Sequence, residues 1–314
     1  VKPRKARTLI LILFVSLSAF IGPTEHSLAK SNKPFTMAWM SDTQYYSESY
    51  PYIFDQMTQW LVDNQQKENI KYAFHTGDIV DKMNDDFQWT QADLALNRLD
   101  EAKFPYGVLA GNHDVGHDKE DYSTFGSLFG DKRFAEAPHY KGSFENNRAH
   151  YDQMSIGGHK FLMLYIGWGL NDEVLHWAQT VLDAHPKHAV ILSTHRYLQE
   201  DGKRSDDGEK LFRELVVPYP GVQLVLSGHF HGTSQRFDKL DDDEDGVNER
   251  TVVQILSDYQ GYRDGGNGFM RLFTFQPKSQ SVMIRTYSPY TGEDAVRDEH
   301  FSKAPSSFSF PMSF

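Results

Sequence analysis

The sequence predicts an α/β fold in which mixed sheets stack as a layered β-sandwich with helices on the outside. Three observations carry this. Short apolar runs alternate with helix-periodic segments through the middle of the chain, and the last third is rich in strand-like runs. Over 314 residues, 39% hydrophobic, 14% aromatic and 24% charged side chains supply a sizeable core and an ordinary surface, which excludes wholesale disorder.

Residues 35–40 (FTMAWM) form the first expected strand. Residues 52–66 have helical spacing through Ile53, Met57, Trp60 and Leu61. A strand at 70–75, a helix at 87–102 and a strand at 105–110 come after it. Runs at 149–156 and 161–166 flank Gly157-Gly158, the pattern of a hairpin. Next come a helix at 172–184, a strand at 188–193, a helix at 209–217 and a strand at 222–226. Strands at 250–256, 269–275 and 281–287 complete the series. Phe308, Phe310, Met312 and Phe314 alternate with Ser309, Pro311 and Ser313, as in a terminal edge strand. With no internal repeat and no flexible linker, a single domain over 34–290 is expected, with 291–314 packed on it as a tail.

The first residues read as processing. Lys2, Arg4, Lys5 and Arg7 form a basic head, residues 8–22 are apolar, and Ser27-Leu28-Ala29 places small residues where a signal peptidase cuts. A signal peptide over 1–29, cleaved after Ala29, is expected, with an uncleaved anchor as the alternative. The apolar run is short for a membrane span, so the mature chain is expected to be secreted or extracytoplasmic and free of the membrane. A net charge of −11 with no basic cluster outside this head excludes a stable nucleic-acid partner. The absence of cysteine excludes disulfides, thiolate ligands and a cysteine nucleophile.

The residues just past each strand end carry the chemistry. Ser41-Asp42-Thr43-Gln44 succeeds the first strand and Gly77-Asp78-Ile79-Val80-Asp81 the second. Gly111-Asn112-His113-Asp114 succeeds the third, Thr194-His195-Arg196 the strand at 188–193, and Gly228-His229-Phe230-His231 the strand at 222–226. Ligands gather at the carboxyl ends of strands in α/β sheets. Taken singly, each motif is an ordinary turn or a structural histidine. Five in order, each abutting an apolar strand, point to one site. Two cations about 3.5–4 Å apart need a bridging anion, a role Asp78 fits. Gly77 allows a close turn beneath it. Imidazoles and the Asn112 carbonyl complete the shells without excess negative charge. Alternating side-chain direction is expected to turn His229 and His231 the same way.

The ordered motifs resemble the calcineurin-like metallophosphoesterases, whose pattern is Asp-x-His, Gly-Asp-x-x-Asp, Gly-Asn-His-Asp/Glu, a lone His and Gly-His-x-His. The resemblance runs from Asp42 to His231 and implies the metallo-dependent phosphatase fold. It implies two divalent metal ions (Mn, Fe, Zn or Mg). One is expected on Asp42, Asp78 and His231, the other on Asp78, Asn112, His195 and His229. His113 is then the unligated histidine that contacts the phosphate, with Asp114 orienting its ring and Asp81 behind the metal contacts. The implied reaction is a single in-line displacement by a hydroxide bridging the metals, with Asn112 and His113 offsetting charge on the equatorial oxygens. The substrate is expected to be a small-molecule or surface-attached phosphate ester, mono- or diester. One residue departs from the pattern: Gln44 stands where the family has histidine. An amide oxygen is a harder, weaker ligand, which shifts the expected metal away from zinc.

Arg196 is a candidate phosphate clamp or a surface ion pair. Asp241, Asp243 and Asp245 place acids at alternate positions before Gly246, like half of an EF-hand loop, but the twelfth position is Val252 rather than Glu. A structural calcium there competes with a plain acidic turn. Tyr45, Tyr46, Tyr50 and Tyr52 are expected mainly to pack against the helix at 52–66, and His75 to be a core histidine. A surface binding module with a metal site but little catalysis is the alternative to the enzyme.

Overall fold

In a computed structural model, residues 30–314 are described; the expected signal segment lies outside them. Among the described residues there are thirteen strands: β1 (Phe35–Met40), β2 (Ile70–His75), β3 (Tyr106–Val108), β4 (Tyr140–Phe144), β5 (Ala149–Ile156), β6 (His159–Ile166), β7 (Ala189–Thr194), β8 (Val222–Ser227), β9 (Gly232–Leu240), β10 (Arg250–Asp258), β11 (Met270–Gln276), β12 (Ser281–Tyr287) and β13 (Ser307–Pro311). One sheet runs β13-β12-β11-β1-β2-β3 and the other β4-β5-β6-β7-β8-β10-β9. β1, β2 and β3 are parallel, as are β6, β7, β8 and β10, while the outer strands pair antiparallel.

Period-two alternation builds the layers. In β1, Met37 and Trp39 face the second sheet, and Ala38 and Met40 face the helices at Pro51–Asn64 and Asp86–Glu101. In β7, Ile191 joins the core between the sheets while Val190 and Leu192 meet the helices at Asp172–Ala184 and Asp206–Leu211. The order is helix, sheet, sheet, helix. Strands covered on both faces are continuously apolar, which is why β1, β7 and β8 stand out in the sequence.

Two strands do not show in the sequence pattern. β4 and β9 are the outer edges of their sheet, and β9 (GTSQRFDKL) is mostly polar because its distal half is solvent-facing. The expected helix at 209–217 is a short helix from Asp206 that widens into a π-turn at Phe212–Val216. β13 lies at a sheet edge, where Pro311 costs no ladder bond. Phe314 lies beyond it, its ring 5.5 Å from Phe161 and 5.6 Å from Phe275.

Candidate metal centre

The carboxyl ends of β1, β2, β3, β7 and β8 converge at one rim. Three candidate ligands there hold left-handed backbone: Asp42 (φ 52°), Asp78 (φ 51°) and His229 (φ 74°). Each such non-glycine residue costs about 1–2 kcal/mol, so the surrounding contacts must enforce it. They do so across both sheets. Asp42 N–H donates to the Gly77 carbonyl at 3.1 Å, and His229 N–H donates to Asp42 Oδ1 at 3.0 Å. Gly77 (φ 95°) has no room for a side chain: a Cβ would lie 2.7 Å from the Gly111 nitrogen and 2.9 Å from His195 Nδ1. A Cβ on Gly111 would strike the Asp78 carboxylate.

Asp78, Asn112, His195 and His229 form a tight group. Asn112 Oδ1 lies 2.8 Å from His229 Nδ1 and 3.1 Å from His195 Nε2, and that nitrogen is 3.3 Å from Asp78 Oδ2. One ligand atom each from Asp78, His195 and His229 falls within 4.8 Å of the others. His195 Nδ1 donates to the Thr76 carbonyl at 2.8 Å, which turns Nε2 toward the group. Burial disfavours charge on His195, but Asp78 outweighs it and raises its pKa to about 10. The buried carboxylates therefore demand a positive charge here, and a divalent cation can replace that proton. His229, half-buried and beside His195, falls to about 3 and is neutral, as a ligand must be.

The other half is built differently. Asp42 is buried, with Ser41 Oγ donating to Oδ2, and burial together with nearby Asp258 raises its pKa well above the usual carboxylate range. Gln44 is fully buried; its Nε2 donates to Asp78 Oδ2 at 3.3 Å and to Gln260 Oε1, while its own Oε1 has no partner among the described residues. An orphaned buried carbonyl on an amide that touches Asp78 is a donor type that fits a hard cation. His231 is exposed beside Gly261. The strand alternation expected to set the direction of His229 and His231 is not present, because both lie in the turn between β8 and β9, where His229 is left-handed.

His113, on the turn after β3, is 38% exposed at a cleft of about 980 Å³ that Met83, Phe87, Asn112, His117 and Lys119 also line. Its N–H donates to Asp78 Oδ1 at 3.0 Å. Its Nδ1 lies 2.8 Å from the Asp81 carbonyl and 3.3 Å from the Asp81 carboxylate, leaving Nε2 for the cleft. Asp78 and Asp81 outweigh desolvation and raise its pKa. Asp114 does not orient this ring, contrary to expectation. Its oxygens accept from Ile79 N–H (2.8 Å), Val80 N–H (3.0 Å) and Gly111 N–H (2.7 Å), so it ties two turns together. Burial, then Asp78, raises it to about 7. Asp81 orients the ring, through its backbone carbonyl first and its carboxylate second.

Arg196 is committed to Asp207, with Nε and an Nη each 2.9 Å from Oδ2, and its guanidinium lies 5.2 Å from the Trp168 ring centre. Trp168 is a residue outside the motifs. Its ring stands 5.2 Å from His229 and 5.9 Å from His195, and its Nε1 donates to the His117 carbonyl at 3.0 Å. It walls the His195 and His229 side of the centre. Asp258 and Gln260, at the end of β10, are outside the motifs too.

The pattern of calcineurin-like phosphoesterases matches residues 35–233. The chain belongs to that family. It is 51% identical over 267 residues to YvnB of Bacillus subtilis (strain 168), covering 85% of this chain and 20% of that protein, so it spans about a fifth of this relative's length. Similar folds include the purple acid phosphatase PPD1 of yellow lupin (TM-score 0.58, 13% identity, 90% of this chain and 55% of that one). A dimetal phosphatase from Danio rerio is also similar (TM-score 0.54, 13% identity, 81% and 96%). So is GAP50, the anchor in the inner membrane complex of Plasmodium (TM-score 0.50, 13% identity, 87% and 92%). The family supports metal-dependent phosphoester hydrolysis and implies divalent metal ions; the fold alone would not fix the chemistry.

Away from the centre, Asp241, Asp243, Asp245 and Glu249 offer ligand atoms within 4.8 Å of one another. Asp241 accepts Asp245 N–H (3.1 Å) and Gly246 N–H (2.7 Å), which an acidic turn needs without any ion. The fourth acid is Glu249 rather than a residue at the twelfth position.

Proposed function

We propose that the chain is an exported phosphoesterase that hydrolyses a phosphate mono- or diester at a dinuclear metal centre. The observation that carries this is the convergence of Asp78, Asn112, His195 and His229, with Asn112 and the neighbouring His113 lining an open cleft. The second metal position would be held by those four residues, and the first by Asp42, Asp78, Gln44 and His231. When bound, divalent cations lower the pKa of water and polarise phosphoryl oxygens.

The chain's own groups do the rest. Asn112 and the His113 imidazole face the oxygens that gain charge in the transition state. His113, held by Asp81 through Nδ1 with its pKa raised, keeps a proton at Nε2 for the leaving oxygen. No serine or cysteine nucleophile is required. The cleft suits a small ester or the exposed end of a surface-attached one. The acidic chain takes no stable nucleic-acid partner, and the segment ending at Ala29 directs it outside the cytoplasm and is then removed.

The test is metal-depleted protein re-supplied separately with Mn, Fe, Zn or Mg and assayed on p-nitrophenyl phosphate, its bis ester and a wider ester panel. Turnover is expected with at least one metal; none under any metal rules the proposal out. The exposed His231 and the amide at position 44 favour a second reading, a surface binding module with a metal site and little catalysis. Metal binding without turnover would support it.

A further inference from the structure

The first metal position has the Gln44 amide where the motif has an imidazole, and the residues that orient this amide come from outside the motifs. β10 lies beside β8, and its last residue, Asp258, is fully buried at the rim. Asp258 Oδ1 accepts Gln260 N–H at 2.9 Å and Oδ2 accepts Gln260 Nε2 at 3.1 Å. With its nitrogen committed there, Gln260 has only Oε1 to offer in the other direction, and that oxygen accepts from Gln44 Nε2. Gln44 Nε2 also donates to Asp78 Oδ2, so both faces of its NH₂ group are used and its amide can lie in one orientation only. The consequence is the orphaned, buried Gln44 Oε1. A buried carbonyl oxygen left without a donor costs stability unless something electropositive meets it.

Resting on the metal-centre reading above, we propose that Asp258 and Gln260 are positioning residues of the first metal position. They fix the Gln44 amide so that Oε1 serves as ligand, and the oxygen-rich position so formed takes a hard cation such as Mn²⁺ in preference to Zn²⁺. The donor types agree with this. Asp42, Asp78 and Gln44 offer oxygen beside the single imidazole of His231, whereas His195 and His229 give the second position two nitrogens, which suits zinc as well. The two positions are thus chemically unequal: Gln44 in the first motif supplies the different donor, and the turn at residues 258–260, outside all five motifs, orients it.

The experiment is calorimetric titration of the metal-depleted full chain with Mn²⁺ alone and with Zn²⁺ alone, with metal content measured after desalting. The wild type is expected to bind two Mn²⁺, with a spin-coupled electron paramagnetic resonance signal. Gln260→Leu and Asp258→Asn should each weaken one Mn²⁺ site tenfold or more, leave the other within about twofold, and abolish the coupled signal. Gln44→His should favour Zn²⁺ over Mn²⁺ at that same site, and it tests the position even if the other variants fold poorly by circular dichroism. One Mn²⁺ in the wild type, unchanged affinities in folded Gln260→Leu, or an unaltered metal preference in Gln44→His would each overturn the inference. Because the readout is binding, it is independent of whether any ester is turned over.

Discussion

The two halves of the centre reach the same rim by different routes. Asp78, Asn112, His195 and His229 come from four motifs and already touch one another through side-chain atoms. Asp42, Gln44 and His231 also come from motifs, yet their half depends on Asp258 and Gln260 and leaves His231 exposed. The first half is a set of ligands fixed by the backbone of the turns that carry them. The second is fixed by a relay of side chains. A motif therefore specifies chemistry fully only where the turn itself aims the side chain.

The largest expected effect tests what both halves share. Asp78→Ala should remove metal from both positions and lower kcat/KM by about a thousandfold or more, checked by metal content and ester hydrolysis. Retention of two metals would show that the halves are independent. His113→Ala should keep its metal and lose about 10²–10⁴-fold in rate; unchanged activity would remove His113 from the mechanism. Asp81→Asn should move the basic limb of the His113-dependent pH profile to lower pH, whereas Asp114→Asn should lower the melting temperature instead, because its oxygens serve backbone N–H groups.

A smaller effect separates metal-free from metal-loaded protein. His195 sits at about 10 in the folded metal-free chain against an ordinary 6.5. A raised folded pKa contributes stability that is complete below the unfolded value and lost as pH rises through the folded one. The metal-free melting temperature should therefore fall between pH 6.5 and 10, and bound metal should flatten that slope. A flat metal-free profile would mean that His195 does not carry the proton. The smallest effect is at Arg196. Because its guanidinium is held by Asp207 and Trp168, Arg196→Ala should change KM only a few-fold, about the size of a part-exposed ion pair.

Much of this is legible in the sequence. The apolar strands at 35–40, 70–75 and 222–226 declare themselves because they are covered on both faces, and each delivers its motif directly. β4 and β9 do not, since edge strands carry mixed polarity. Asp258, Gln260 and Trp168 escape for a different reason. No motif contains them, and Gln44 meets Gln260 only because β10 inserts between β8 and β9. Yet a signal exists. Trp168 lies just past β6 and Asp258 ends β10, so the rule that parallel strands deliver function at their carboxyl ends applies to them too. Asp114 misleads because a carboxylate adjacent in sequence to His113 is not thereby adjacent to its ring.

The left-handed backbone at Asp42, Asp78 and His229 sets stability against activity. Glycine holds such angles without steric cost, and asparagine nearly so. A library screened only for heat resistance, in chelator, should therefore enrich glycine or asparagine at these positions, most readily at His229, whose ring makes one hydrogen bond, to Asn112. Each gain in melting temperature would remove a ligand. For anyone engineering this chain, the rim is where thermostability is easiest to raise and should be left alone.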